Sequence, residues 1–332
     1  MKILVTGGTG YIGSHTCVEL LNNNHEVIIV DNLSNSKREV KDLITKITGK
    51  EVKFYEADVR DYEVMNKIFS ENEVDAVIHF AGYKAVGESV AQPLMYYRNN
   101  IDSTLTLCEV MKEHNCKKLV FSSSATVYGT PKELPIKEDA PLSTTNPYGS
   151  TKLYIEGILK DITVSDDDWS VIILRYFNPV GAHESALIGE NPNGIPNNLV
   201  PYINKVAVGE LEHLNVFGND YETKDGTGVR DYIHITDLAN GHVCALDRLT
   251  EMKGTEYYNL GTGIGYSVLE MVNTYEKINN VNVPYKIAPR RSGDIAECYA
   301  DASKAFEFLH WKAKYNLDDM LKSAYNYVNK NK

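Results

Sequence analysis

Over its first half the chain alternates short apolar blocks with amphipathic stretches, the rhythm of a strand, a helix and a returning strand. The blocks fall at 3–6, 26–30, 52–56, 76–80, 118–122 and 170–175, and their valine, isoleucine and phenylalanine are nearly continuous rather than alternating. Such runs predict strands buried on both faces of a parallel sheet. Between them, 15–23 and 100–114 have the length of crossover helices, so the expected architecture is α/β with a doubly wound parallel sheet. After residue 175 the rhythm stops. Between 178 and 201 four prolines (Pro179, Pro192, Pro196, Pro201) and three glycines (Gly181, Gly189, Gly194) predict irregular chain, and long loops in compact proteins are usually functional. Helices are expected at 202–209, 237–249 and 317–328, and a short strand at 257–260. The division predicted is a first domain over 1–180 and a smaller mixed α/β domain over 181–332, with some later segments returning to the first.

Composition narrows the function classes. With 43% hydrophobic and 24% charged residues among 332, the chain is neither disordered nor a disulfide scaffold. Its 34 basic and 45 acidic residues give a net charge of -11, which argues against general nucleic-acid binding but not against a small anion met by local groups. Cys17, Cys108, Cys116, Cys244 and Cys298 are odd in number, widely spaced and without a C-x-x-C pair. Neither disulfides nor a metal site is therefore expected. No apolar run approaches the ~18 residues of a membrane span, and the chain enters a strand at once, leaving no room for a signal peptide. A cytoplasmic setting without membrane contact is expected.

The first block ends in Thr6-Gly7-Gly8-Thr9-Gly10-Tyr11-Ile12-Gly13. This G-x-x-G-x-x-G spacing is a relative of the dinucleotide-binding turn. Glycines let the backbone approach a pyrophosphate, and the following helix start offers free N–H donors and partial positive charge. The same residues can form a tight turn without a ligand; the flanking strand and helix favour the nucleotide. Asp31 follows the second block, where a carboxylate bonds a ribose diol and repels a 2′-phosphate, so NAD is favoured over NADP. Alone it reads as a turn residue, and Lys37 and Arg38 nearby leave the phosphorylated cofactor open.

Tyr148-Gly149-Ser150-Thr151-Lys152 places a phenol and an ammonium at i and i+4. On a helix they share a face about 6 Å apart along the axis, and the ammonium is expected to lower the phenol pKa for proton abstraction. Pro147 fits a helix first turn. The spacing is weak alone, since an exposed helix face produces it too. Its weight comes from the glycine turn upstream and from Ser122-Ser123-Ser124 at a strand end, where such sheets bind ligands, although a serine run also serves as turn chemistry.

With these motifs in place, the chain resembles the extended short-chain dehydrogenase/reductase family, and within it the UDP-hexose 4-epimerases, over nearly its whole length. The resemblance rests on the glycine turn through Ser14-His15, Asp31-Asn32-Leu33, Ile78-His79-Phe80-Ala81-Gly82, Lys84-Ala85-Val86-Gly87-Glu88-Ser89 and Phe121-Ser122-Ser123-Ser124-Ala125-Thr126-Val127-Tyr128-Gly129. It continues in Arg175-Tyr176-Phe177-Asn178-Pro179-Val180-Gly181-Ala182, Ile195-Pro196-Asn197-Asn198-Leu199, Gly228-Val229-Arg230-Asp231-Tyr232-Ile233-His234 and Pro289-Arg290-Arg291-Ser292-Gly293-Asp294. It implies a Rossmann domain over 1–180 holding NAD and a UDP-sugar domain over 181–332. The cofactor residues it implies are Gly7, Gly10, Tyr11, Ile12, Gly13, Asp31, Asn32, Asn35, Ser36, Asp58, Val59, Phe80, Ala81, Gly82, Lys84, Asn99, Ser122, Tyr148, Lys152 and Phe177. For the sugar nucleotide it implies Ser124, Tyr148, Asn178, Asn197, Asn198, Leu199, Asn215, Phe217, Arg230, Arg291, Asp294 and Cys298. Arg230 and Arg291 suit a diphosphate, although two distant arginines otherwise read as surface ion-pair residues.

The implied reaction interconverts UDP-galactose and UDP-glucose. Tyr148 takes the 4-hydroxyl proton, Ser124 bonds the same oxygen, hydride leaves C4 for NAD, and the 4-keto sugar turns over to receive it on the opposite face. A homodimer built by helix packing is also implied. Cys298 occupies a position where some relatives carry a bulky tyrosine and exclude N-acetylated sugars, so UDP-N-acetylhexosamines are expected as substrates too. Alternating strand geometry points the neighbouring Tyr299 away; the plain alternative is a packing cysteine. Two other readings compete. One is a 4,6-dehydratase or decarboxylase of the same family, of which the dehydratase has an acidic pair where Ala125 and Thr126 stand; the other, a non-catalytic NAD-binding regulator, has no use for Tyr148, Lys152 and Ser124.

Overall fold

The six apolar blocks are strands in the computed structural model, which describes residues 1–332 except 193, 195 and 292. Ile195 and Ser292 of the segments quoted above thus lie outside the described residues. The strands are β1 (Lys2–Thr6), β2 (Glu26–Asp31), β3 (Lys53–Glu56), β4 (Ala76–His79), β5 (Lys118–Ser124) and β6 (Ser170–Tyr176). Around them run α1 (Tyr11–Asn22), α2 (Val40–Thr48), α3 (Tyr62–Ser70), α4 (Val86–Ala91), α5 (Pro93–Glu113) and α6 (Pro147–Ser165). The second half adds β7 (Asn178–Val180), α7 (Leu199–Ala207), β8 (Leu214–Phe217), β9 (Val229–His234), α8 (Ile235–Leu249), β10 (Gly254–Leu260) and β11 (Gly265–Ser267). It ends with α9 (Val268–Asn279), β12 (Tyr285–Ala288), β13 (Glu297–Cys298), α10 (Ser303–Leu309) and α11 (Leu317–Lys330).

The main sheet is seven-stranded, in the order β10-β6-β5-β4-β1-β2-β3, and its pairings are parallel. Continuous apolar runs follow from this, because each strand feeds two cores in alternation. Ile3, Val5, Val27, Ile29, Ile78, Val120 and Ile172 pack with α1 and α8 on one face. Leu4, Ile28, Val30, Val77, Leu119, Phe121 and Ile173 pack with α3, α5 and α6 on the other. Strand β10 and helix α8 belong to the later sequence and return to this sheet, β10 pairing with β6 from Gly254 to Leu260. A third core, including Val200, Ile203, Val216, Tyr232, Met271, Tyr275 and Leu321, joins α7, α9 and α11 beside β8 and β9.

Three boundaries differ from expectation for identifiable reasons. Helix α5 begins at Pro93, not at 100, because a proline in the first turn has no intrahelical N–H bond to lose. Helix α7 begins at Leu199, with Pro201 likewise tolerated among its unpaired first amides. The serine run is strand rather than turn: Ser122, Ser123 and Ser124 pair with Leu174, Arg175 and Tyr176. Among the described residues no helix is long and apolar enough to cross a membrane.

Candidate active site

The carboxyl ends of the strands open into a cleft of about 1050 Å³ running from the β1–α1 turn to β9 and β13. At one end, Gly7 has φ +70° and Gly13 lies so close to the turn that a Cβ there would sit 2.2 Å from the Gly7 carbonyl oxygen. Gly10 caps α1 without a side chain, and the first turn holds no acidic residue. The first amides of the helix are thereby left to meet an anion.

Beside the turn, the Asp31 carboxylate accepts bonds from the Thr9 amide at 3.1 Å, the Leu33 amide at 2.9 Å and the Ser36 hydroxyl at 2.9 Å. Of the two cations that left a phosphorylated cofactor open, Lys37 lines the cleft and Arg38 does not. Arg38 pairs with Glu56 over the Phe54 ring, and Lys37 lies 4.0 Å from Glu39. Asp58 is gripped by Arg60 at 2.9 and 2.7 Å and receives Asn32 at 3.3 Å. These bonds from Arg60 hold its pKa down to about 2. Gly10, Tyr11, Ile12, Asn35, Val59, Phe80, Ala81, Gly82 and Asn99 line the same part of the cleft. Lys84 reaches Glu190 at 3.4 Å, and Glu190 also accepts from Asn198 at 2.9 Å.

Helix α6 delivers the central pair. Asn146 caps its start, accepting the Gly149 amide at 2.9 Å, with Pro147 following. Tyr148 and Lys152 then point into the cleft, and Ser124 at the end of β5 faces it. The Lys152 ammonium donates to the Ser122 carbonyl at 2.7 Å and lies 6.0 Å from the Tyr148 ring centre. Burial pushes the Tyr148 phenol above its ordinary pKa, and the Ser124 hydroxyl acts in the opposite direction. Desolvation of the phenolate outweighs the Ser124 bond, so the net direction is upward rather than the lowering expected from Lys152. Lys152 is itself pushed down to about 8 by burial, opposed by Glu156.

Toward the other end, Phe177, Asn178, Asn197, Asn198, Leu199, Arg230, Asp294 and Cys298 line the cleft. Arg230 lies 3.6 Å from Asp294 and pairs in register with Cys298 across β9 and β13. Tyr299 is not on the wall, as the alternation predicted. Four expected residues are not on it either. Ser122 contributes its carbonyl to Lys152 and its hydroxyl to Tyr176, 2.6 Å away. Asn215 and Phe217 lie on β8, which pairs with β12, and Arg291 stacks its guanidinium 3.9 Å from the centre of the Phe217 ring. That cation–π contact joins two of the expected nucleotide residues to each other. Sequence reasoning missed Tyr176 and Glu190, both on the wall. The alternation of β5 and β6, which sets Tyr176 opposite Ser124, was the available signal for the first.

Where a dehydratase would require acids, Ala125 and Thr126 form a 3-10 turn on the wall. The profile of the family described as GDP-mannose 4,6 dehydratase matches residues 4–324. A curated UDP-glucose 4-epimerase from Bacillus subtilis is 60% identical over 331 residues, covering 100% of this chain and 98% of that protein. The crystal structure of UDP-glucose 4-epimerase from Bifidobacterium longum in complex with NAD+ and UDP aligns with TM-score 0.97 at 59% identity, covering 100% of this chain and 99% of that one. The Stenotrophomonas maltophila enzyme of the same name, with bound NAD and formylated UDP-arabinopyranose, aligns with TM-score 0.98 at 49% identity, covering 99% and 98%. Matched end to end at these identities, the chain belongs to the UDP-glucose 4-epimerase family, within the extended short-chain dehydrogenase/reductases.

Proposed function

We propose that the protein interconverts UDP-galactose and UDP-glucose by reversible oxidation at C4 of the sugar, keeping NAD bound throughout. The carrying observation is that Tyr148, Lys152 and Ser124 share one cleft with the glycine turn, Asp31 and Arg230. NAD fits the residues present: the uncapped helix start suits the pyrophosphate and Asp31 the ribose diol. When bound, NAD supplies a reversible hydride acceptor. Tyr148, as phenolate, removes the 4-hydroxyl proton and later returns it. Ser124 bonds the same oxygen, and Lys152 supplies the positive charge that buried phenolate formation requires. The two-sided return requires the keto sugar to turn within the cleft between the two transfers.

The part to residue 180 is assigned to NAD, and 181–332 to the UDP-sugar, with α8 and β10 completing the first. Asp58, Asn99, Lys84 and the other residues of the turn end are assigned to the cofactor; Asn178, Asn197, Asn198 and Leu199 are assigned to the nucleotide. Arg230 is the first partner of the diphosphate, because it is the arginine on the cleft wall. Leu94, Tyr154 and Val164 on α5 and α6 are exposed, which supports a homodimer through these helices in a cytoplasmic setting. The test is to incubate the purified protein with UDP-galactose, without added NAD, and follow the sugar protons by NMR. UDP-glucose should accumulate to equilibrium, and the preparation should scatter light at twice the chain mass. Unchanged UDP-galactose would count decisively against the reading.

Cys298 favours a wider substrate range. It is small, lines the cleft and sits beside Arg230, while burial raises its thiol pKa to about 11 and keeps it neutral. UDP-N-acetylgalactosamine is therefore expected to turn over as well. Cys298→Tyr should lower that turnover at least about tenfold, as for a lost pocket fit, while sparing UDP-galactose. A wild-type protein inert toward the N-acetylated sugar would sink this extension.

A further inference from the structure

Tyr148, Lys152 and Glu156 stand at i, i+4 and i+8 on α6 and so share a face. The first two reach the cleft. Glu156 lies beneath it, 2% exposed, against Arg175 of β6, also 2% exposed. The guanidinium grips the carboxylate with Nε 3.0 Å from Oε1 and Nη2 2.6 Å from Oε2. Oε1 also accepts from the Ser123 hydroxyl at 2.5 Å. Arg175 Nη1 donates to the Tyr128 hydroxyl at 3.1 Å and the Glu138 carbonyl at 3.0 Å, and Tyr128 donates onward to Asn259 at 2.6 Å. One ion pair thus ties α6 to β5, β6, β10 and the turn behind Ser124.

Stability alone is a poor reason for this arrangement. An apolar pair of similar volume commonly serves a core as well as a buried ion pair does, because both charges must be desolvated. Its placement suggests another role. Ser123 pairs in register with Arg175, and the next pair is Ser124 with Tyr176, so the clamp sits one residue below the reacting hydroxyls. Lys152 bonds a carbonyl rather than a carboxylate and lies 4.8 Å from the Phe121 ring centre. Its charge is otherwise sustained by Glu156, one helical turn along.

We propose that Glu156, clamped by Arg175 and Ser123, is a positioning residue of the epimerase site. It sets the roll of α6 against the strand bearing Ser124 and holds Lys152 as an ammonium. The inference rests on the function proposed above. The other titratable groups around the clamp are Tyr128 of the turn, Glu138 and Tyr257 on β10, and those around Lys152 are Tyr148 on α6, His79 on β4 and, through Ser122, Tyr176 on β6. His79 is kept neutral by burial, its pKa lowered to about 3, and the tyrosines are raised by burial. Glu138 is also raised by burial. Glu156 is the group that opposes the downward push of burial on Lys152. Without its carboxylate, Lys152 loses its proton at lower pH.

The test compares pH profiles of the NAD-loaded enzyme. Glu156→Gln should move the alkaline limb of kcat down by about one pH unit, with KM for UDP-galactose within about twofold. Glu156→Asp keeps the charge and should leave the limb in place. Because an unpaired buried Arg175 can prevent folding, Glu156→Gln combined with Arg175→Met provides a second reading of the same limb, with a smaller downward shift expected because the opposing Arg175 charge is removed as well. An unmoved limb in whichever charge-removing variant folds, accompanied only by a lower Tm, overturns the inference while leaving the epimerase function standing. A wild type without epimerase activity overturns both.

Discussion

Tyr148→Phe is expected to lower UDP-galactose turnover by about 10²–10⁴-fold, the usual share of a general acid–base group, while the protein keeps its NAD. The substitution removes one oxygen and little else. The ring remains in a site that is only 7% exposed, the helix start stays capped by Asn146, and Lys152 keeps its bond to the Ser122 carbonyl. Lost activity therefore reports the phenol and not a collapsed site. KM should change little, since the proposed diphosphate partner, Arg230, lies on β9 and not on α6. NAD released on denaturation and read by absorbance should remain near one per chain. Turnover within a factor of ten of wild type would refute the role of Tyr148, and loss of the cofactor would show that the residue holds the fold of the site. A regulator that only senses NAD is indifferent to the change, so the same variant separates the two classes of function.

The sheet and the turn were readable because their physics is local. Strands buried on both faces must be apolar throughout, and the 26–30 block shows this without any partner in view. The turn needs glycines at fixed spacing, and Tyr148 and Lys152 need only the helical period. What remained hidden depends on contacts between distant segments. Glu156 and Arg175 are 19 residues apart and meet only because α6 packs against β6. Tyr176 looked like part of a matched segment until the register with Ser124 placed it on the wall. Strands β7, β8, β11, β12 and β13 have only two to four residues, and β12 is largely exposed, so they carry no period strong enough to read. Arg291 shows what a matched position leaves open: only the structure sets its guanidinium over the ring of Phe217.

Gly13→Ala should produce a protein that retains secondary structure but carries no NAD and therefore shows no epimerisation. The constraint here is space, unlike that at Gly7, whose φ of +70° favours glycine on conformational grounds. At Gly13 an added methyl carbon would lie 2.2 Å from the Gly7 carbonyl oxygen and 2.8 Å from the Gly8 Cα. Both are backbone atoms, so no side-chain rotation can relieve the clash. The start of α1 must withdraw from the turn, at a cost of about 1–3 kcal/mol for overpacking, and that withdrawal separates the helix amides from the position where they would meet the pyrophosphate. The two consequences are measurable apart: far-UV circular dichroism and Tm report the first, and cofactor content after denaturation reports the second. A Gly13→Ala protein that still purified with stoichiometric NAD would mean that the close approach of helix to turn is not what holds the dinucleotide, and the assignment of this end of the cleft would fall with it.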